Sequence, residues 1–342
     1  MKTITIRRPD DGHVHFRQDG VLPGLLLEHA DICGIAVDMP NPKPPIRTGR
    51  DILARRAVFA EVVADRRPWF RPRFCAYQTP ETTAETVDDV MDAGADGFKT
   101  YPTDQERKPG TTNAEWGMYP PEHLDPKRAP FFERLVERRG IWRVHAEHPD
   151  YKQEDREKAF LPILDTLLQR HPELRVVFEH ISSAEGVAFV KAHPQMMATV
   201  TPHHMLLTWS DGYGNHDHCC MPAIKTETDR IAVFEFARDS AQAAYGSDSA
   251  PHPRAAKAQV KGANGIFVPP RVGIPAVVAL FEREGCPEKL EPFFSERYAD
   301  WLGVPRNEDA ITLVREPWTV PEEMAGFRPL FAGQTLDWRI RE

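Results

Sequence analysis

Short apolar runs alternate with longer amphipathic segments along most of this chain, and that rhythm limits its fold more than any other feature. Residues 3–8, 34–38, 73–76, 97–99, 142–145, 175–179, 197–200 and 243–246 read as strands. Residues 51–65, 83–93, 130–138, 155–170, 183–191 and 227–240 read as helices between them. Strands joined mostly by a single helix imply a parallel sheet, because a parallel pair needs a crossover. Eight such units favour a closed (β/α)8 TIM barrel, an α/β fold, over an open doubly wound sheet. No G-x-G-x-x-G follows the first strand, which removes the main support for a nucleotide-binding fold. At 342 residues the chain has a normal length for one such barrel. We read residues 1–342 as one domain, with a C-terminal extension from about residue 305. That extension reads as irregular, anchored by Trp318, Phe327 and Trp338.

Active sites of such barrels lie at the C-terminal ends of the strands, so the residues there carry the chemistry. His13-Val14-His15 closes the N-terminal strand region, and two imidazoles one residue apart on an extended segment face the same side. Alone, His-x-His is a weak signal. Here Lys99, His145, His180 and Asp248 stand at or just after the ends of later strands. Imidazole and carboxylate suit zinc or a similar divalent ion. An ammonium has no acceptor and cannot ligate, but an amine that has reacted with carbon dioxide becomes a carbamate with two oxygens. Such a set exceeds what one tetrahedral ion needs and fits two ions sharing a hydroxide.

Composition narrows the remaining classes. A net charge of -8 argues against nucleic-acid binding. No apolar run is long enough for a membrane span, and the N-terminus has no signal-peptide pattern. Cys33, Cys75, Cys219, Cys220 and Cys286 are few and odd in number, which suits free thiols in a reducing cytoplasm. Other histidines read as incidental. His203 and His204 read as structural, His216 and His218 as loop residues, and His29, His123, His148, His171 and His193 as surface.

Eight segments together resemble the dihydroorotases of the amidohydrolase superfamily, in their short stand-alone bacterial and fungal class. They are DGHVHFR (11–17), MPNPKPP (39–45), GFKTYP (97–102), VHAE (144–147), FEHI (178–181), TPHHM (201–205), CCMPAIK (219–225) and GSDSAPH (246–252). The resemblance implies reversible cyclisation of N-carbamoyl-L-aspartate to L-dihydroorotate in pyrimidine biosynthesis. It implies that His13, His15 and Asp248 hold the more buried of two divalent ions, most simply Zn2+. His145 and His180 hold the more exposed one, and N6-carboxylated Lys99 bridges them. It implies a bridging hydroxide as nucleophile, with Asp248 as general acid and base. Arg17, Asn41 and His252 match the residues that bind the substrate carboxylate. Met221 and Asn264 match backbone contacts to the ring amide, and Thr111 and Thr112 match a threonine pair on a closing loop. The stretch 104–108 lengthens that loop, and Asn264 stands where a small residue is expected. The resemblance also implies a homodimer. The alternatives are a related cyclic amidase (hydantoinase, dihydropyrimidinase or allantoinase), which shares the ligands but lacks the Arg17–Asn41–His252 clamp, and a silent scaffold, which would have lost ligands.

Overall fold

The computed structural model describes residues 2–64, 67–106, 108, 116–259 and 263–341. Eight parallel strands form its centre: β2 (Asp11–Val14), β3 (Ile35–Asp38), β4 (Arg71–Phe74, resuming as Ala76–Tyr77), β5 (Gly97–Thr100), β6 (Ile141–Val144), β7 (Arg175–Phe178), β8 (Met196–Val200) and β9 (Ala243–Tyr245). Each pairs in parallel with the next, with registers such as Ile35↔Arg71, Gly97↔Ile141 and Val176↔Met196. The seam between β9 and β2 is bridged just past the strand ends. Asp248 N donates to His13 O at 2.9 Å and His15 N donates to Ser249 O at 3.0 Å. The ring therefore joins the first and last strands at the residues expected to carry the chemistry.

Strands such as β6, β7 and β8 are buried on both faces, which explains their continuous apolar runs. Outward side chains pack under the helices; inward ones, among them Ile35, Val37, Ile141, Val177 and Met197, fill the barrel. Tyr298 and Ala299, from the short helix Arg297–Leu302, join that interior cluster. Helix starts follow local chemistry. Thr48 and Asp51 form a capping box for the helix Gly49–Val63, and Thr226 and Asp229 form one for Glu227–Asp239. Gly97 opens β5 at φ 145°, and a Cβ there would run into the Ile141 backbone. The close approach sets the register that brings Lys99 to the strand's end.

Three expectations need correction. The segment 3–8 is not the first barrel strand. Instead β1 (Thr3–Arg7) pairs antiparallel with β10 (Ala310–Thr319), which pairs with β11 (Thr335–Ile340). The alternating Thr-Ile-Thr-Ile pattern belongs to a sheet with one wet face, whereas the buried barrel strand, Asp11-Gly12-His13-Val14, is too polar to read as an apolar run. The segment beyond 305 accordingly carries two regular strands, with Trp338 fully buried. Finally, Pro270–Arg283 forms a helix that the sequence reading left out, because Pro270, Gly273 and Pro275 break its pattern. Among the described residues, no helix is long and apolar enough to cross a membrane.

Candidate active site

A cavity of about 370 Å3 opens at the C-terminal ends of the strands, and ten of the residues singled out from sequence line it. His13 and His15 reach it from the end of β2. Their Nε2 atoms lie 3.4 Å apart, and each is 3.3 Å from Asp248 Oδ1. Three buried donors thus converge on one point. His145 and His180 face each other across the other side, with ring centroids 4.5 Å apart. His180 stands 5.1 Å from His13 by the same measure. Lys99 is fully buried, and its Nζ has no hydrogen-bond partner among the described residues.

Backbone strain is concentrated here. Arg17 (φ 58°), His180 (φ 44°) and Asp248 (φ 44°) all adopt left-handed conformations that side chains with a Cβ avoid. Such strain persists only where the surroundings over-determine it, and it gathers at functional sites. Ordered partners hold the rings. His13 Nδ1 lies 2.7 Å from Glu179 Oε2, His15 Nδ1 lies 2.7 Å from Asn41 Oδ1, and His145 Nε2 lies 2.6 Å from Glu147 Oε2. Each contact commits one ring nitrogen, and for His13 and His15 the other, Nε2, faces Asp248.

Electrostatics follow from burial. Desolvation favours the neutral amine of Lys99 and brings its pKa down to about 8, against the pull of Glu179 and Asp248. Burial likewise lowers His15 to about 4, keeping it neutral. Asp248 goes the other way: burial alone would raise it, but hydrogen bonds to His13 and His15 outweigh that and hold it well below the ordinary carboxylate range.

Beside this cluster, Arg17 Nη2 meets His252 Nε2 at 2.9 Å and Arg17 Nε donates to Pro251 O at 3.0 Å. Burial, then the neighbouring Arg17 charge, lowers His252 to about 3, so it stays neutral. No carboxylate pairs with Arg17 among the described residues, although Arg55, which bonds the Arg17 carbonyl, is itself paired with Asp38. Met221 and Asn264 line the wall beyond His252. Asn41 has its oxygen turned to His15, so it supports a histidine as well as facing the cavity. Thr111 and Thr112 lie outside the described residues.

The sequence reading missed Glu179, Glu147, Tyr77, Tyr101 and Phe327. The two glutamates lie within two residues of His180 and His145, so FEHI and VHAE held the signal. Phe327 comes from the C-terminal segment and could not be placed without the fold. His29, His123 and His148 are buried rather than on the surface. His29 packs against Phe16 and reaches Asp11, and His123 packs against Trp142, on helix and loop faces turned inward. His203, His204 and Cys220 form a second close group of possible metal donors. Both His204 nitrogens are already engaged, by Thr201 Oγ1 at 2.8 Å and Pro222 O at 3.1 Å, which ties the 219–225 loop to the end of β8.

Comparison with known proteins agrees with this geometry. The amidohydrolase family model matches residues 11–256. A dihydroorotase from Neisseria gonorrhoeae is 35% identical over 100% of both chains, and one from Aromatoleum aromaticum is 36% identical over 99% of this chain and 100% of its own. The chain belongs to the dihydroorotases of the amidohydrolase family. Among solved structures, dihydroorotase from Saccharomyces cerevisiae in complex with 5-fluoroorotic acid superposes with a TM-score of 0.89 at 25% identity, covering 100% of this chain and 99% of that one. The Campylobacter jejuni dihydroorotase gives 0.85 at 27% identity, covering 99% and 97%. An L-hydantoinase from Arthrobacter aurescens, 15% identical with a TM-score of 0.80 over 98% of this chain and 83% of its own, shares the fold. The chain is thus an enzyme of a metal-dependent family that hydrolyses cyclic amides.

Proposed function

We propose that this enzyme interconverts N-carbamoyl-L-aspartate and L-dihydroorotate, a step of pyrimidine biosynthesis. The observation that carries the reading is Arg17: a guanidinium without a carboxylate partner among the described residues, in the same cavity as the His13–His15–Asp248 cluster. Such a cation calls for an anionic ligand, and dihydroorotate has a carboxylate that dihydrouracil and hydantoin lack.

The donors suit a metal pair. His13, His15 and Asp248 would hold one divalent ion, His145 and His180 the other, and carboxylated Lys99 would lie between. Zinc fits the imidazole and carboxylate set. The buried Lys99 amine has no hydrogen-bond partner among the described residues and its pKa is brought down to about 8, so it gives up its proton more readily than an ordinary lysine, which supports the carboxylation. When bound, the metal pair supplies a Lewis acid for the amide carbonyl and an activated water. The chain's own residues do the rest. Arg17, with Asn41 and neutral His252, anchors the carboxylate, and Met221 and Asn264 border the ring. Thr111 and Thr112 complete the proposed substrate contacts.

Asp248 moves the proton. In hydrolysis it takes a proton from the attacking water and delivers it to the departing ring nitrogen. In synthesis it removes one from the attacking carbamoyl nitrogen. A homodimer follows from the resemblance, and a cytoplasmic location is supported by the free thiols. Turnover measured side by side on dihydroorotate, dihydrouracil and hydantoin tests the assignment. Selective action on dihydroorotate is expected, and equal action on all three would replace it with a broad cyclic amidase.

A further inference from the structure

A chain of polar groups, fully buried at Glu179 and Arg143, runs down the inside of the barrel from the cavity floor. His13 Nδ1 lies 2.7 Å from Glu179 Oε2, and Thr199 Oγ1 donates to the same oxygen at 2.7 Å. The other carboxylate oxygen of Glu179 faces Arg143 Nη1 at 3.4 Å. Arg143 donates to the Tyr298 hydroxyl at 2.9 Å and meets Asp96 at 3.5 Å, and Asp96 is bonded by Arg73 Nε at 2.6 Å. Glu179 and Arg143 are both 0% exposed. Tyr298 belongs to the helix Arg297–Leu302, which packs among the inward residues of the strands.

A buried ion pair is costly unless its geometry and hydrogen bonds are complete, and replacing it with apolar residues is often neutral for stability. Stability alone therefore gives a weak account of this one. Its geometry gives a better one. A carboxylate accepts only, so His13 must present Nδ1–H to Glu179. In the neutral ring that a metal ion would bind, the lone pair is then on Nε2, the atom facing His15 and Asp248. Arg143 faces the second oxygen of Glu179 and fixes the carboxylate's orientation, and the Tyr298 hydroxyl accepts from Arg143 and holds it there. We propose that Glu179, Arg143 and Tyr298 form a buried relay that fixes the tautomer and orientation of His13, so that a C-terminal helix packed inside the barrel governs metal capture in the cavity. This rests on the reading of His13 as a metal ligand. Glu179, Arg143 and Tyr298 are positioning residues and touch no substrate.

The test uses the full-length enzyme in four forms: wild type, Glu179→Gln, Tyr298→Phe and His13→Ala. Zinc affinity is measured by competition with a chromophoric chelator. The histidine tautomer is read by 15N NMR of the metal-free protein, and kcat and KM are measured on dihydroorotate. Glu179→Gln should weaken one zinc site by about 10–100-fold, the usual effect of losing the group behind a ligating histidine. His13 should lose its Nδ1–H tautomer, and kcat should fall while KM stays near wild type, because the Arg17 anchor is untouched. Glu179→Gln strips Arg143 of its counter-charge, so Tyr298→Phe, which leaves every charge in place, decides the matter if the first variant folds poorly. It should shift zinc affinity and tautomer in the same direction by a smaller factor. Wild-type zinc affinity and tautomer in Tyr298→Phe, even with a lowered melting temperature, would overturn the relay. If instead His13→Ala binds zinc as the wild type does, the metal-ligand reading itself fails, and the relay with it.

Discussion

Replacing Arg17 with methionine is the sharpest test of what this cavity recognises. Among the described residues, the guanidinium directs two of its N–H groups at the protein, towards Pro251 O and His252 Nε2. A guanidinium has five, so the remainder are open to a ligand. Methionine keeps most of the bulk and removes the charge. It adds no new backbone penalty, since arginine already sits at φ 58°. A hydrogen bond to a charged partner is worth about 1.5–3 kcal/mol. With tenfold in rate for each ~1.4 kcal/mol, kcat/KM on dihydroorotate should fall by about 10–150-fold. Bound metal should not change, because Arg17 contacts none of His13, His15 or Asp248 through a hydrogen bond. Steady-state kinetics in both directions, with elemental analysis of the same preparations, gives the answer. Unchanged dihydroorotate turnover would refute the anchor, and a parallel loss of metal would show that Arg17 acts on the centre instead.

Other expectations follow from the same geometry. Mass spectrometry of the native holoenzyme should find Lys99 heavier by one carbon dioxide, and Lys99→Ala should lose metal and activity together; an unmodified amine in a fully active two-metal enzyme would contradict this. Asp248→Asn keeps an oxygen near the donors but cannot carry the proton, so kcat should drop by about 10²–10⁴-fold while metal content falls less. Chelation should lower the melting temperature, and added zinc should restore it, because a ligand that binds only the folded state stabilises it by mass action. Asp10 tests pH dependence away from the cavity. Burial raises its pKa to about 7, against hydrogen bonds from Ile35 N and Asn307 that favour the charged form. The folded state therefore binds more protons than the unfolded state between about pH 4 and 7, and this group's contribution to stability falls as pH rises through that window. Asp10→Asn should flatten that fall and raise the melting temperature more at pH 8 than at pH 5; an equal shift at both would show that Asp10 does not titrate there.

The chain fixed a good deal by itself. Buried parallel strands must be apolar on both faces and must be joined by crossovers, so 142–145 and 175–179 read as barrel strands without coordinates, and the strands form at Ile141–Val144 and Arg175–Phe178. The candidate metal donors stood out for a related reason. Barrel chemistry sits at strand ends, and a histidine or lysine ending an apolar run is conspicuous. Local pattern failed where burial was satisfied by polar partners. Asp11 lies in the first barrel strand; its Oδ1 accepts from the His13 and Ser247 backbone N–H groups and its Oδ2 faces His29, a set that no reading along the chain brings together.

Tertiary structure decided the rest. Only the closed ring brings Asp248 within 3.3 Å of both His13 and His15, across more than two hundred residues of sequence. Only the antiparallel sheet shows that Thr3–Arg7 belongs with the C-terminal strands. Only the packed interior reveals that Glu179 stands behind His13, Arg143 behind Glu179 and Tyr298 behind Arg143. Periodicity reports which face of an element is buried; which distant polar groups satisfy each other inside a low-dielectric core depends on how the elements close, and that is a property of the whole chain.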